Sequence, residues 1–212
     1  MADFIITYYE DVEVQHFLAF LREEQTVYSG ESKTEAHLYT PRSVLLRYFT
    51  DGRGSLDDLL RAVLKEEEHI IPTAEVVSQH FLTVFAILLS VGQAQSLNRF
   101  VERDYNDERL PFFDRPRHFP EATTGSLFDA FFAAQFRFCP IRFTKNPVNL
   151  QIEPEQILPL RRKQQLRVIG HATTYKVELH EDYDPFVEDP SPLQIDLEIK
   201  TVSVTISIFV SY

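Results

Sequence analysis

The sequence predicts an α+β protein that is mainly helical, with an N-terminal helical bundle followed by a small antiparallel β element. Three observations predict it. Apolar residues recur at helical spacing behind capping residues through roughly the first two-thirds of the chain. Pro147, Pro154 and Pro159 then mark an extended linker. Beyond them the pattern alternates with period two, as where Tyr175, Val177 and Leu179 alternate with Lys176, Glu178 and His180. The change places a boundary between about 145 and 160, giving a helical domain over 1–150 and a β element over 151–212.

In EDVEVQHFLAFLREEQ (10–25), Val14, Phe17, Leu18 and Leu21 fall on one helical face, with Glu23 and Glu24 at the polar end. In TPRSVLLRYF, Thr40 can cap and Pro41 fits the first helical position, where a missing N–H costs nothing. GSLDDLLRAVLKEEE sets Ser55 and Asp58 at capping-box spacing, and Leu56, Leu59, Leu60, Val63 and Leu64 line a face behind them. PTAEVVSQHFLTVFAILLSVG (72–92) is the most apolar segment. Its dense part, Phe81 to Val91, is shorter than the roughly 20 apolar residues of a membrane span and contains Thr83 and Ser90. It is expected as a helix buried on most sides and stopped by Gly92. His80, at its polar border, is expected as a partly buried structural histidine, since no second histidine stands three or four residues away to share a metal.

The connector VERDYNDERLPFFDRPRHFPEATTG is broken by Pro111, Pro116 and Pro120, and Phe112, Phe113 and Phe119 are placed to pin it onto the core. GSLFDAFFAAQFRF begins a further helix, with Ser126 and Asp129 at the capping spacing and Phe128, Phe131, Phe132 and Phe136 on one side. An aromatic stripe at that period is core. Further on, LRVIGHATTYKVELH (166–180) reads as strand, turn and strand, and HEDYDPFVEDPSPL as an acidic loop. In the tail, Val202, Val204, Ile206, Ile208 and Val210 alternate with small polar residues, without charge or proline after Lys200. Such a strand is expected either to fold back on the hairpin or to present a bare edge, and self-association driven by this tail is expected because nothing in it acts as a gatekeeper.

Composition narrows the function. A formal charge of −11 disfavours nucleic-acid binding, which needs clustered basic residues. The basic residues Arg137, Arg142, Lys145, Arg161, Arg162, Lys163, Arg167 and Lys176 lack regular aromatic spacing and read as a solvated face. Six glycines in 212 residues argue against glycine-rich phosphate loops. The single cysteine, Cys139, excludes an internal disulfide and a cysteine-based zinc cluster, and among aromatics it is expected as a buried inert thiol. Glu178, Glu181, Asp182, Asp184, Glu188 and Asp189 lack the calcium-loop spacing, and Pro185 and Pro190 interrupt them. No metal site is expected, and no serine sits in G-x-S-x-G. The N-terminus has acidic residues where a signal peptide needs a basic start, so a cytoplasmic location is expected.

TPRSVLLRYF, DGRGSLDDLLRAVLKEEEHIIPTAEVV, HFLTVFAILLSVGQ, RLPFF, LFDAFFAAQFRFCP, EPEQILPLRRKQQL and YKVELHEDYD follow one another over about residues 40–184. In that order they resemble the N-terminal part of fungal proteins that carry a protein-kinase domain. The resemblance implies that ILPLRRKQQLRVIGHATTYKVELH takes the place of the first kinase strand, the glycine-rich loop and the second strand. With the register fixed by Tyr175, Lys176 and Val177, the three glycine positions fall on Arg167, Ile169 and Ala172, and the valine position on Thr174. A branched Ile169 at a glycine position costs about 1–2 kcal/mol if positive φ is required. LEIKTV resembles the third kinase strand and implies Lys200 as the nucleotide-binding lysine. After Lys200 the sequence carries no αC glutamate, no H-R-D and no D-F-G, and phosphoryl transfer needs all of these together.

The reading that follows is a non-catalytic, truncated member of that kinase-like group. Its helical region acts as an interaction or regulatory module for a protein partner or for self-association, with no cofactor, no metal and no membrane. The alternative is an ATP-binding serine/threonine kinase whose catalytic part lies outside this chain, using the hairpin and Lys200. A third possibility is a structural protein unrelated to kinases.

Overall fold

The computed structural model describes residues 11–27, 38–64, 72–120, 127–142, 155–169, 172–183 and 204–208. Helix outweighs strand among them, and the strands follow the helices apart from one two-stranded ribbon. The chain divides into two compact units, Met1–Gln25 with Thr40–Cys139, and Thr26–Tyr39 with Pro140–Tyr212.

The first unit holds α1 (Val12–Glu23), α2 (Arg42–Thr50), α3 (Leu56–Val63), α4 (Ala74–Val76), α5 (Leu82–Ser90), α6 (Leu97–Glu102) and α7 (Leu127–Gln135). Helix α1 starts where Asp11 accepts hydrogen bonds from the Glu13 and Val14 amides, satisfying two orphan donors. It buries Val14, Phe17, Phe20 and Leu21, while Leu18 is only partly buried. The cap of α2 departs from expectation: Pro41 stands at the N-cap, with no side-chain cap bond, and Arg42 begins the helix. Thr40 is instead fully buried, and its amide donates to the Arg137 carbonyl. Ser55 caps α3 by accepting from the Asp58 amide, and Leu56, Leu59, Leu60, Val63 and Leu64 are all buried as the spacing requires.

Helix α5 lies at the centre, with every residue from Leu82 to Leu89 buried. Gly92 ends it at φ +72°: the Gly92 and Gln93 amides donate to the Leu89 and Leu88 carbonyls, a Schellman closure. The same closure ends α2 at Gly52 (φ +68°), and ends α6 at Asp104 (φ +55°), a rarer residue for that conformation. Around α5 the aromatics pack edge-to-face and stacked. Phe100 stacks on Phe131 with centroids 5.2 Å apart and meets Phe119 edge-on at 5.4 Å. Phe112 and Phe119 pin the connector as expected; Phe113 does not, remaining 54% exposed. Phe128, Phe131 and Phe136 are buried on α7 and just beyond it, with Phe132 partly so, while Ser126 lies outside the described residues. Cys139 is partly rather than fully buried against this core.

In the second unit, β1 (Thr26–Val27) and β2 (Leu38–Tyr39) form an antiparallel ribbon with Thr26 opposite Tyr39. A three-stranded antiparallel sheet is formed by β3 (Leu160–Ile169), β4 (Ala172–Leu179) and β5 (Val204–Ile208), in the order β3-β4-β5. The tail therefore takes the first of its two expected courses, pairing Val204–Ile208 along Thr173–Val177 of β4. Tyr39, Ile157 and Tyr183 form one buried cluster of this unit, and Ile141, Leu160 and Leu179 are buried as well. No described helix of either unit is long and apolar enough to cross a membrane.

Candidate functional site

Among the described residues, three places hold the groups from which a function could be built: the β3–β4 hairpin, a break in the central helix of the first unit, and an aromatic–histidine cluster in the second.

In the hairpin, Arg167 pairs with Thr174, Val168 with Thr173, and Ile169 with Ala172. All three positions where the kinase resemblance implies glycine thus lie in paired strand, and β4 is flanked by β5 on its other side from Thr173 onward. A phosphate cradle needs successive amides turned toward the ligand. The ladder here engages those of β4 on both sides. Lys200, the implied nucleotide ligand, lies outside the described residues, as do Gly170 and Asp184, Glu188 and Asp189 of the acidic run.

The break in the helix was not legible in sequence. Between α4 and α5, Val77–Phe81 form one π-turn, and Phe81 has φ −131° and ψ 13°, far from helical values. In an unbroken helix the Thr83 amide would donate to the Gln79 carbonyl and the Val84 amide to His80. Here both amides donate to the Asp107 carboxylate, at 3.0 and 2.9 Å. On the other side of the break, Arg42 donates through Nη2 to the Ser78 and Gln79 carbonyls at 2.8 and 3.3 Å. Arg42 Nε stands 3.8 Å from Asp107 Oδ2. One ion pair therefore replaces the helix's own missing partners. Burial pushes the Asp107 carboxyl above its usual range; the bonds from Thr83 and Val84 and the Arg42 charge oppose that rise. Every partner of Asp107 here is structural. His80, on the π-turn, is exposed, not partly buried as expected; the turn buries Val77 and Phe81 instead. Gln135 performs a similar service nearby: fully buried, it accepts from the Phe112 amide at 2.8 Å and donates to the Phe112 carbonyl at 2.7 Å.

In the second unit His180 is buried at the end of β4, beside Glu181–Tyr183, a single 3₁₀ turn. Its ring meets Tyr39 at 6.0 Å and Tyr183 at 6.1 Å between centroids. Its Nδ1 accepts the Asp182 amide at 3.3 Å, which assigns the ring proton to Nε2. Burial lowers the His180 pKa; Asp182 opposes the shift, Arg161 adds to it and Glu181 opposes it. Tyr39 is fully buried, its hydroxyl has no hydrogen-bond partner among the described residues, and burial pushes its pKa up to about 12. Arg161 pairs with Glu181 at 3.4 Å on the exposed side.

No group of three or more histidine, cysteine or carboxylate side chains that could hold a metal occurs among the described residues. Sequence spacing pointed to neither Asp107 nor Arg42, which are joined to the break over 23 to 37 residues of chain. No family model matches the chain, and neither a curated protein nor a solved structure does.

Proposed function

We infer that this chain is a non-catalytic relative of the fungal proteins that carry a protein-kinase domain, with its helical unit acting as an interaction or regulatory module. The observation that carries the reading is the pairing of Arg167 with Thr174 and of Ile169 with Ala172, which fills with strand the place where a nucleotide loop would open. A second support is that the fully buried Gln135 and the partly buried Asp107 both bond backbone groups of the helical unit, a structural role.

Titration of the chain with a fluorescent ATP analogue and magnesium tests the reading. We expect no saturable binding up to about 1 mM, the upper end of ordinary substrate affinities. Saturable binding that disappears in Lys200→Ala would favour the ATP-binding kinase alternative and overturn this one.

A further inference from the structure

We propose that His180 is a pH-operated latch, which when neutral holds Tyr39 of β2 against the end of the β3–β4 hairpin and when protonated lets it go. The geometry of the ring is specific to the neutral form. Nδ1 is used as an acceptor, from the Asp182 amide at 3.3 Å. A proton added there faces an N–H donor, so the hydrogen bond becomes a repulsion and the ring must turn. The closest carboxylate oxygen of Asp182 is 4.0 Å from Nδ1, a place toward which a charged ring would swing. That movement leaves Tyr39, whose ring lies against His180 and Tyr183.

Several contacts hold the latch. The His180 amide donates to the Pro159 carbonyl at 2.9 Å, tying β4 to the segment before β3, and the Tyr183 amide donates to the His180 carbonyl at 2.9 Å. Tyr39, Ile157 and Tyr183 form the apolar cluster beneath. The charges that act on the ring come from two elements: Asp182 and Glu181 on the 3₁₀ turn, and Arg161 on β3. Tyr39 on β2 stays neutral throughout the range concerned. The sign follows from burial. A histidine whose folded pKa lies below its unfolded value near 6.5 gives full stability above that value, and loses it as pH falls toward the folded one. Acid therefore opens the cluster, and its apolar surface becomes available.

The test is amide hydrogen exchange on the full chain between about pH 8 and pH 5, the range in which histidine switches, with the His180 ring followed by NMR. Exchange rates are corrected for their intrinsic pH dependence. Protection of the His180 and Tyr183 amides should fall with the ring's titration, about tenfold for each pH unit between the unfolded and folded values. Neutralising neighbours should move that transition in opposite directions: Asp182→Asn to lower pH, Arg161→Gln to higher pH. His180→Gln, a neutral side chain that can still accept, should remove the pH dependence. Should that variant fail to fold, the two charge variants still decide. Protection that is flat across the range, or a transition that Asp182→Asn and Arg161→Gln leave in place, would overturn the latch.

Discussion

The two units stand on different kinds of interior. The helical unit packs α1 to α7 around α5 into one continuous core, with phenylalanines in mutual edge and face contact. In the β unit Tyr39, Ile157 and Tyr183 pack together with His180 beside them, and Ile141, Leu160 and Leu179 are also buried, so titratable side chains stand among the apolar ones. Buried hydrocarbon contributes stability that does not depend on protons, at about 25 cal/mol per Å². Buried titratable groups contribute only in one protonation state. The comparison therefore teaches that the helical unit should be sensitive to volume around α5, and the β unit sensitive to pH through Tyr39 and His180.

The largest expected effect tests the first half of that statement. Phe100→Ala removes a ring touched by Tyr105, Phe119 and Phe131 and should destabilise the helical unit by about 3–5 kcal/mol in urea unfolding. A cost below about 1 kcal/mol would mean that the core collapses around the hole and is not the close-packed interior described. Next comes the clamp in the helix break. Asp107→Ala leaves the Thr83 and Val84 amides without their acceptor and Arg42 without its counter-charge, a loss of about 2–4 kcal/mol. Near-neutral behaviour would show instead that the π-turn anneals to a regular helix once the carboxylate is gone.

The smallest effect sharpens the other half. Tyr39→Phe deletes a buried hydroxyl that has no partner among the described residues, so it should stabilise the β unit slightly, by about 1 kcal/mol. It should also change the alkaline limb. Tyr39 is neutral in the fold up to about 12, whereas the unfolded side chain ionises near 10.0, so its contribution is lost as pH rises between those values. Thermal unfolding of the wild type should fall across that window, and the Phe variant should fall less. Equal alkaline losses in both would place the sensitivity elsewhere.

What the sequence by itself determined was local. Ser55 with Asp58, Gly92 and the leucines of α3 act through neighbours a few residues away, and each is found where its spacing put it. The burial of 82–89 followed from a run in which Thr83 is the one polar residue. Alternation in 172–179 likewise announced a strand, because side chains of period two need a pleated backbone. What only the tertiary structure decided involves partners far apart in the chain. The helix break at Val77–Phe81 exists because Asp107 and Arg42 arrive from distant segments to satisfy its amides and carbonyls, and an α-helical pattern carries no mark of it. Thr40 lost its expected capping role because the helix begins at Arg42, so Pro41 takes the cap position without a side-chain bond and Thr40 stands one residue before it, its amide bonded to Arg137. Tyr39 and His180 meet for the same reason. A β-ribbon inserted between α1 and α2 and the end of a strand 141 positions later share one cluster, and only folding, which pairs buried groups by surface and not by sequence distance, could bring them together.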